Sequence, residues 1–179
     1  MFNKNLYIVV SAYLFIGMTL SFAQEKLIYN FPLKKGYWEE YVEGSARLKV
    51  KSNDSGLVVN IIRSPTGAFN HIQLFAFKLK LQTGVTYLLK ITASSNSESE
   101  IICKFHKPSP NWDSYQTPDN TIIDLEQGKK TYTEEITATT TTDASRFTLY
   151  FGQNKGGTEI IINSIKLYVK ETNDGGGQE

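Results

Sequence analysis

The chain has 179 residues, 40% of them hydrophobic and 21% charged, with 19 Lys and Arg against 18 Asp and Glu, two histidines and one cysteine. That is one domain, long enough to bury its own core without disulfides or metals and too rich in aromatic and branched residues to be disordered. The near-zero charge gives nucleic acid no electrostatic handle, and so few His and Cys exclude a zinc site built from those ligands.

Residues 1–23 begin with a short positive head (Lys4), continue as an apolar run over 6–20 and end in Ser21-Phe22-Ala23. This is the layout of a secretory signal peptide cleaved after Ala23. The alternative is an uncleaved anchor, because the run approaches the ~20 residues of a membrane span. No cysteine stands at the cut, which argues against a lipoprotein. Cleavage removes Lys4 and no acid, so 19 basic groups become 18 and the mature chain, 24–179, is formally neutral. The expected destination is secreted, periplasmic or at the cell surface, and no later apolar run is long enough to span a membrane. A lone cysteine in an oxidising compartment cannot form an intrachain disulfide. Cys103, inside Ile101-Ile102-Cys103-Lys104-Phe105, reads as a small buried hydrophobe.

The mature chain opens with an aromatic group, Gly36-Tyr37-Trp38-Glu39-Glu40-Tyr41, in which Trp38 is either a ligand contact or a structural residue. Period-two patterns then dominate. Residues 46–51 and 75–81 alternate apolar and basic, and 57–62, 87–93 and 100–105 are rich in β-branched or aromatic residues. Further runs follow at 121–125, 131–138, 146–151 and 159–170. Turn formers separate them, including Asn53-Asp54-Ser55-Gly56, Ser64-Pro65-Thr66-Gly67 and Gly156-Gly157. Short strands at such spacing predict an all-β antiparallel sandwich of about ten strands, best closed as a jelly roll. Lys49, Lys51, Lys78 and Lys80 belong on solvated faces. Residues 24–170 form the domain, and the glycine-rich tail, 171–179, reads as disordered.

Several residues stand out as candidates for binding. His71 and Gln73 share a strand face opposite Ile72 and Leu74, and so point outward if those two enter the core. The proline-stiffened segment Lys107-Pro108-Ser109-Pro110-Asn111-Trp112-Asp113-Ser114-Tyr115-Gln116 carries Trp112 and Tyr115 among polar side chains, a composition suited to recognition. Gln153 and Asn154 follow the strand ending at Gly152, and Arg63 and Lys104 are weaker candidates.

Catalysis asks for more than the residues supply. A glycoside hydrolase holds two carboxylates about 5–9.5 Å apart. The arguable acids are Glu39-Glu40, Asp113 and Glu134-Glu135, and neighbours on a strand point to opposite faces. His71 or His106 could join a tyrosine as base and acid of a polysaccharide lyase, but no lyase signature flanks either. No Gly-x-Ser-x-Gly elbow and no phosphate-cradling glycine loop occurs.

Five segments in order carry a family resemblance. They are Asn70-His71-Ile72-Gln73-Leu74, residues 84–93 with Gly84 and Tyr87, residues 132–138 with Tyr132, residues 146–152 ending in Gly152, and residues 160–167 with Asn163. Together they resemble carbohydrate-binding modules of the family 4/9 type, a galactose-binding-like jelly-roll group, over about two thirds of the mature chain. The resemblance implies recognition of a polysaccharide or oligosaccharide, with Gln153 at a sheet edge able to contact sugar and with Trp38 in a region where the modules often use a structural Trp. It also implies a structural calcium in related modules. Here Asn163 stands where that family often has Asp, and Tyr29-Asn30-Phe31-Pro32-Leu33 lacks its acidic residue, so these carboxylates are missing, while Asn and backbone oxygens could still contribute.

The expected protein is thus a secreted, non-catalytic glycan binder working by aromatic stacking and hydrogen bonding through Trp112, Tyr115, His71, Gln73, Gln153 and Trp38. It needs no cofactor, with a structural calcium left open, and works either alone or beside separately encoded glycan-degrading enzymes. The alternatives are a jelly-roll lyase or glycoside hydrolase, and an adhesion domain that binds protein.

Overall fold

A computed structural model of the chain describes residues 24–65, 68–108, 110 and 112–171. The expected signal peptide (1–23) and nearly all of the expected tail lie outside the described residues. The period-two runs become strands in two antiparallel sheets. One sheet has the order β3 (Arg47–Asn53), β4 (Gly56–Arg63), β12 (Thr158–Glu171), β6 (Thr86–Ser95), β10 (Lys130–Ala138) and β8 (Gln116–Thr117), with β1 (Gln24–Asn30) also paired to β12. The second sheet has the order β2 (Glu39–Val42), β5 (Ile72–Leu81), β11 (Thr142–Tyr150), β7 (Ser99–His106) and β9 (Thr121–Leu125). The only helical turn among the described residues is a single 3-10 turn, Phe69–His71. No described helix is long and apolar enough to cross a membrane.

The twelve strands exceed the expected ten because β1, β2 and β8 leave little trace in hydropathy. All four residues of β2 are exposed, and β8 has only two residues. β12 is long because it serves three partners. Its first half pairs with β4, its second half with β1, and β6 runs along its other edge.

The core lies between the sheets, where alternation delivers one face of every strand. The larger sheet contributes Leu57, Val59, Ile61, Leu89, Ile91 and Ile165, and the smaller one Ile72, Leu74, Ile101, Phe105, Phe147 and Leu149. Cys103 is among them, and burial pushes its thiol pKa up, consistent with an inert packing residue. Phe147 is fully buried, with ring centroids 4.5 Å from Phe105, 4.8 Å from Phe31 and 6.2 Å from Trp38. Lys49, Lys51, Lys78 and Lys80 are all exposed, as the alternation requires.

One strand breaks its own pattern. Strict alternation over 75–81 would place Phe75, Phe77, Leu79 and Leu81 on one face. Instead Phe77 and Lys78 are both exposed, Lys78 has a positive φ of 67°, and the β11–β5 register shifts on either side of Ser145. This bulge lets Leu79 and Leu81 enter the core while Phe75 and Phe77 face outward. A second close fit lies at Gly152, whose backbone runs so near the 3-10 turn that a Cβ would stand 2.3 Å from the Ala68 carbonyl oxygen.

Phe147→Ala should lower the unfolding free energy by about 3–5 kcal/mol, because it empties the centre of the aromatic cluster. Denaturant titration would read this as a reduced midpoint at unchanged slope. A loss under about 1 kcal/mol would show that packing does not centre there.

Candidate functional site

The outer face of the five-stranded sheet carries the groups that the inner face cannot hold. On β11, Phe147 and Leu149 point to the core, so Arg146, Thr148 and Tyr150 point away from it. On β5 the same rule turns Gln73 outward, since Ile72 and Leu74 are fully buried in the core. Register then aligns side chains across strands. Tyr41, Gln73, Tyr150, Ile102 and Ile122 form one row across all five strands, and Glu39, Phe75, Thr148 and Lys104 form the next. Four inter-strand spacings of about 4.8 Å make such a row about 19 Å long. Tyr41 and Ile122, at its two ends, are 44% and 54% exposed.

A cavity of about 340 Å³ opens on this face, walled by Tyr41, Gln73, Trp112, Arg146 and Tyr150 and closed at its edges by Phe69, Asn70, Glu43 and Lys104. Trp112 reaches it from the 107–113 loop. The loop leaves the end of β7 and returns, its base closed by the Lys107 amide on the Asp113 carbonyl (2.9 Å) and the Tyr115 amide on the Phe105 carbonyl (2.9 Å). The buried Gln116 amide fastens it further. Its Oε1 accepts from the Phe105 amide, and its Nε2 donates to the Pro118 carbonyl and to Thr121 Oγ1.

Arg146 is the hub. Its Cζ lies 3.5 Å from the ring centroid of Phe75 and 4.8 Å from that of Trp112, so the guanidinium sits between two aromatic rings. Nη2 donates to Gln73 Oε1 at 2.7 Å, and Gln73 Nε2 donates to the Asn70 carbonyl at 2.6 Å. Burial pulls the Arg146 pKa down, yet a guanidinium stays charged at any physiological pH.

His106 lies beneath this layer, 1% exposed, with its ring centroid 5.6 Å from that of Trp112. A carbonyl can only accept, so Nδ1 carries the proton and donates to the Lys107 carbonyl at 2.9 Å. Nε2 then accepts from the Thr148 hydroxyl at 2.8 Å. Burial holds its pKa down at about 4, so the ring is neutral near pH 7. Lys104 donates to both oxygens of Asp119, at 3.1 and 3.0 Å, and this bonding holds the Asp119 carboxyl below the usual range.

Of the six sequence candidates, the structure brings Trp112 and Gln73 together in the cavity. The others stand elsewhere. Trp38 is 4% exposed, packed on Phe31 and Phe147 with Nε1 donating to the Pro32 carbonyl, so it cannot stack on a ligand. Tyr115 packs against the core cluster from the loop base. His71 lies in the 3-10 turn rather than on β5, with Nε2 3.9 Å from Glu43 Oε2. Gln153 lines a separate depression at the other end of the same face, with Asn154, Lys155, Glu98 and Glu100. Arg146 and Tyr150 join the cavity as well, and alternation through Arg146-Phe147-Thr148-Leu149-Tyr150-Phe151 is the sequence signal that puts them on one face.

Asn163 occupies the position where related modules often carry a calcium-binding Asp. It sits where the β12–β6 register shifts, and its Nδ2 donates to the Ser55 carbonyl at 2.5 Å, leaving Oδ1 buried without a partner. No three His, Cys, Asp or Glu side chains converge among the described residues. Calcium prefers several oxygen ligands, carboxylates among them, and here the unpartnered Asn163 Oδ1 is not joined by such a three-residue cluster.

No protein-family model and no curated protein matches the chain. Solved structures do. A CBM4 structure superposes with a TM-score of 0.64 at 18% identity, covering 74% of this chain and 86% of that one. CBM1 of BiXyn10A gives 0.62 at 17%, covering 79% and 97%. The second N-terminal cellulose-binding domain of Cellulomonas fimi β-1,4-glucanase C gives 0.60 at 18%, covering 86% and 99%. The fold is therefore the jelly roll of carbohydrate-binding modules.

His106 should make the protein acid-sensitive. Its pKa is about 6.5 unfolded and about 4 folded, so between those values the unfolded chain binds more protons and stability falls as pH falls. The contribution lost by pH 4 is up to about 3 kcal/mol. Unfolding free energies of wild type and His106→Gln, measured from pH 7 to pH 4, should converge as pH drops. Parallel curves would show that the imidazole titrates normally.

Proposed function

We propose that this protein is a secreted, non-catalytic carbohydrate-binding protein that holds a polysaccharide or oligosaccharide across the outer face of its five-stranded sheet. The observation carrying this reading is the half-exposed Trp112 ring poised beside the Gln73–Arg146 pair in a shallow cavity. Pyranose rings present C–H faces that stack on aromatic rings, and their hydroxyls need planar donors and acceptors such as amide and guanidinium groups. The cross-strand row from Tyr41 to Ile122 supplies a track for several sugar rings. The likeness in fold to cellulose-binding and other carbohydrate-binding domains supports the same reading.

Catalysis fits the cavity less well. Glu43 is the only carboxylate among its described walls, where a hydrolase needs two. A lyase reading rests on Tyr150 Oη, 3.4 Å from His106 Nε2. That ring is almost wholly buried, and both its nitrogens are engaged by Lys107 and Thr148, so the imidazole offers the cavity no free base. In this reading the N-terminal leader is cleaved, and the domain acts outside the cell beside separately encoded glycan-degrading enzymes.

Trp112→Ala should weaken binding to any glycan that the wild type captures on an array by about tenfold or more, which is about 1.4 kcal/mol, with the melting temperature little changed. Because Trp38 is buried, quencher-accessible fluorescence should come from Trp112 and be protected by ligand. A wild type that captures no plant, algal or fungal glycan, or a Trp112→Ala variant that binds normally, would overturn the reading. Release of an ultraviolet-absorbing unsaturated product would establish a lyase instead.

A further inference from the structure

We propose, resting on the glycan-binding reading, that the preferred ligand is an acidic glycan whose anionic substituent, a uronate carboxylate or a sulfate ester, docks against Arg146.

Arg146 is 5% exposed and yet lines the cavity. Among the described residues it has no carboxylate within 4.0 Å and donates one side-chain hydrogen bond, to Gln73. Its Nε is buried with no acceptor. A buried cation is ordinarily paired, because desolvating it is costly without a counter-charge. The aromatic sandwich of Phe75 and Trp112 offsets part of that cost but donates no lone pairs to the N–H groups.

The other charges nearby are already engaged. Lys104 is neutralised by two bonds to Asp119. Glu43 accepts from the Tyr41 hydroxyl at 3.3 Å and faces His71 at 3.9 Å. Glu39 is exposed on β2, near enough to attract Arg146 but outside ion-pair distance. The uncompensated positive charge of the cavity is thus Arg146, held in place by Gln73 and Asn70 and flanked by a stacking ring. A neutral hydroxyl would leave that charge unpaired, whereas a carboxylate or sulfate oxygen makes a charge-assisted bond about twice as strong.

Position along the face matters too. Glu100 and Asp124 oppose each other on β7 and β9 in the far depression, beside Glu98 and Glu126. Burial and the Asp124 charge push the Glu100 pKa up. An anionic substituent is therefore repelled there and directed to the Arg146 end, with neutral rings extending over Ile102 and Ile122.

The test is titration calorimetry of the whole mature chain with paired probes. One arm uses uronate oligosaccharides (galacturonate, mannuronate and glucuronic-acid-bearing xylan fragments), each beside its carboxyl-reduced twin. The other uses sulfated galactan fragments beside their desulfated twins. The expected result is at least about tenfold tighter binding of an acidic member than of its neutral twin, weakening with added salt. Whichever arm responds names the anion. Arg146→Gln should erase the difference, and Arg146→Lys should keep part of it. If neither variant folds, the wild-type twin comparison and its salt dependence decide alone. Neutral twins binding as well as acidic ones would overturn the inference and leave the glycan-binding reading standing. Silence across acidic and neutral probes alike would overturn the inference, while the glycan array alone decides the glycan-binding reading.

Discussion

Phe147 stacks on Phe105 and against Phe31 at centroid distances under 5 Å, and those contacts determine which way every neighbour on β11 points. Side chains alternate strictly along an unbroken strand, so a Phe147 locked inward leaves Arg146 and Thr148 outward. A one-residue slip would push a guanidinium into the aromatic cluster and Phe147 into water, two large penalties at once. Ser145, fully buried on the inner face, is satisfied by donating to the Leu79 carbonyl at 2.9 Å. β11 also lies at the centre of its sheet, paired to β5 on one side and β7 on the other. The same strand therefore anchors the core and supplies the middle of the proposed binding face.

Around that strand the site is assembled by polar groups that would be unaffordable if left unpaired. Gln73 links Arg146 to the 3-10 turn, and Gly152 lets that turn approach closely enough for its amide to donate to the Phe69 carbonyl at 3.1 Å. Gln116 and His106 tie the Trp112 loop to β7 through buried hydrogen bonds. Such supporting bonds fix the orientation of the cavity's side chains in advance, which under the proposed function would lower the entropic cost of binding. The result is an outer face on which an aromatic ring, an amide and a guanidinium are held in fixed positions around one cavity.

Much of this was legible in the chain. Nine of the twelve strands announce themselves by period-two hydropathy, and the lone Cys103 by its apolar neighbours. Trp112 and Gln73 stood out as polar-context candidates and do share a cavity. The strands β1, β2 and β8 were not visible, because exposed or two-residue strands gain their stability from pairing, and pairing leaves no hydropathy signature. Trp38 and Trp112 look alike as loop aromatics, yet one packs into the core and the other stands half-exposed. Nothing local separates them. Trp38 is drawn in by Phe31 and Phe147, residues seven and more than a hundred positions away.

Local pattern was enough for the all-β class, the sandwich with its solvated lysines and the neutral, His-poor surface, because each depends on side-chain alternation or on composition. The site depended on contacts distant in sequence. The positive φ at Lys78 turns Phe75 out of the core so that its ring can lie under Arg146, seventy-one residues away, and no alternation count through residues 75–81 foresees that. The pairing of β5 with β11 and β7 then places Gln73, Arg146 and Trp112 around one cavity. Register and bulges are settled by what the facing strand and the core will accept, and those partners exist only once the two sheets have closed on one another.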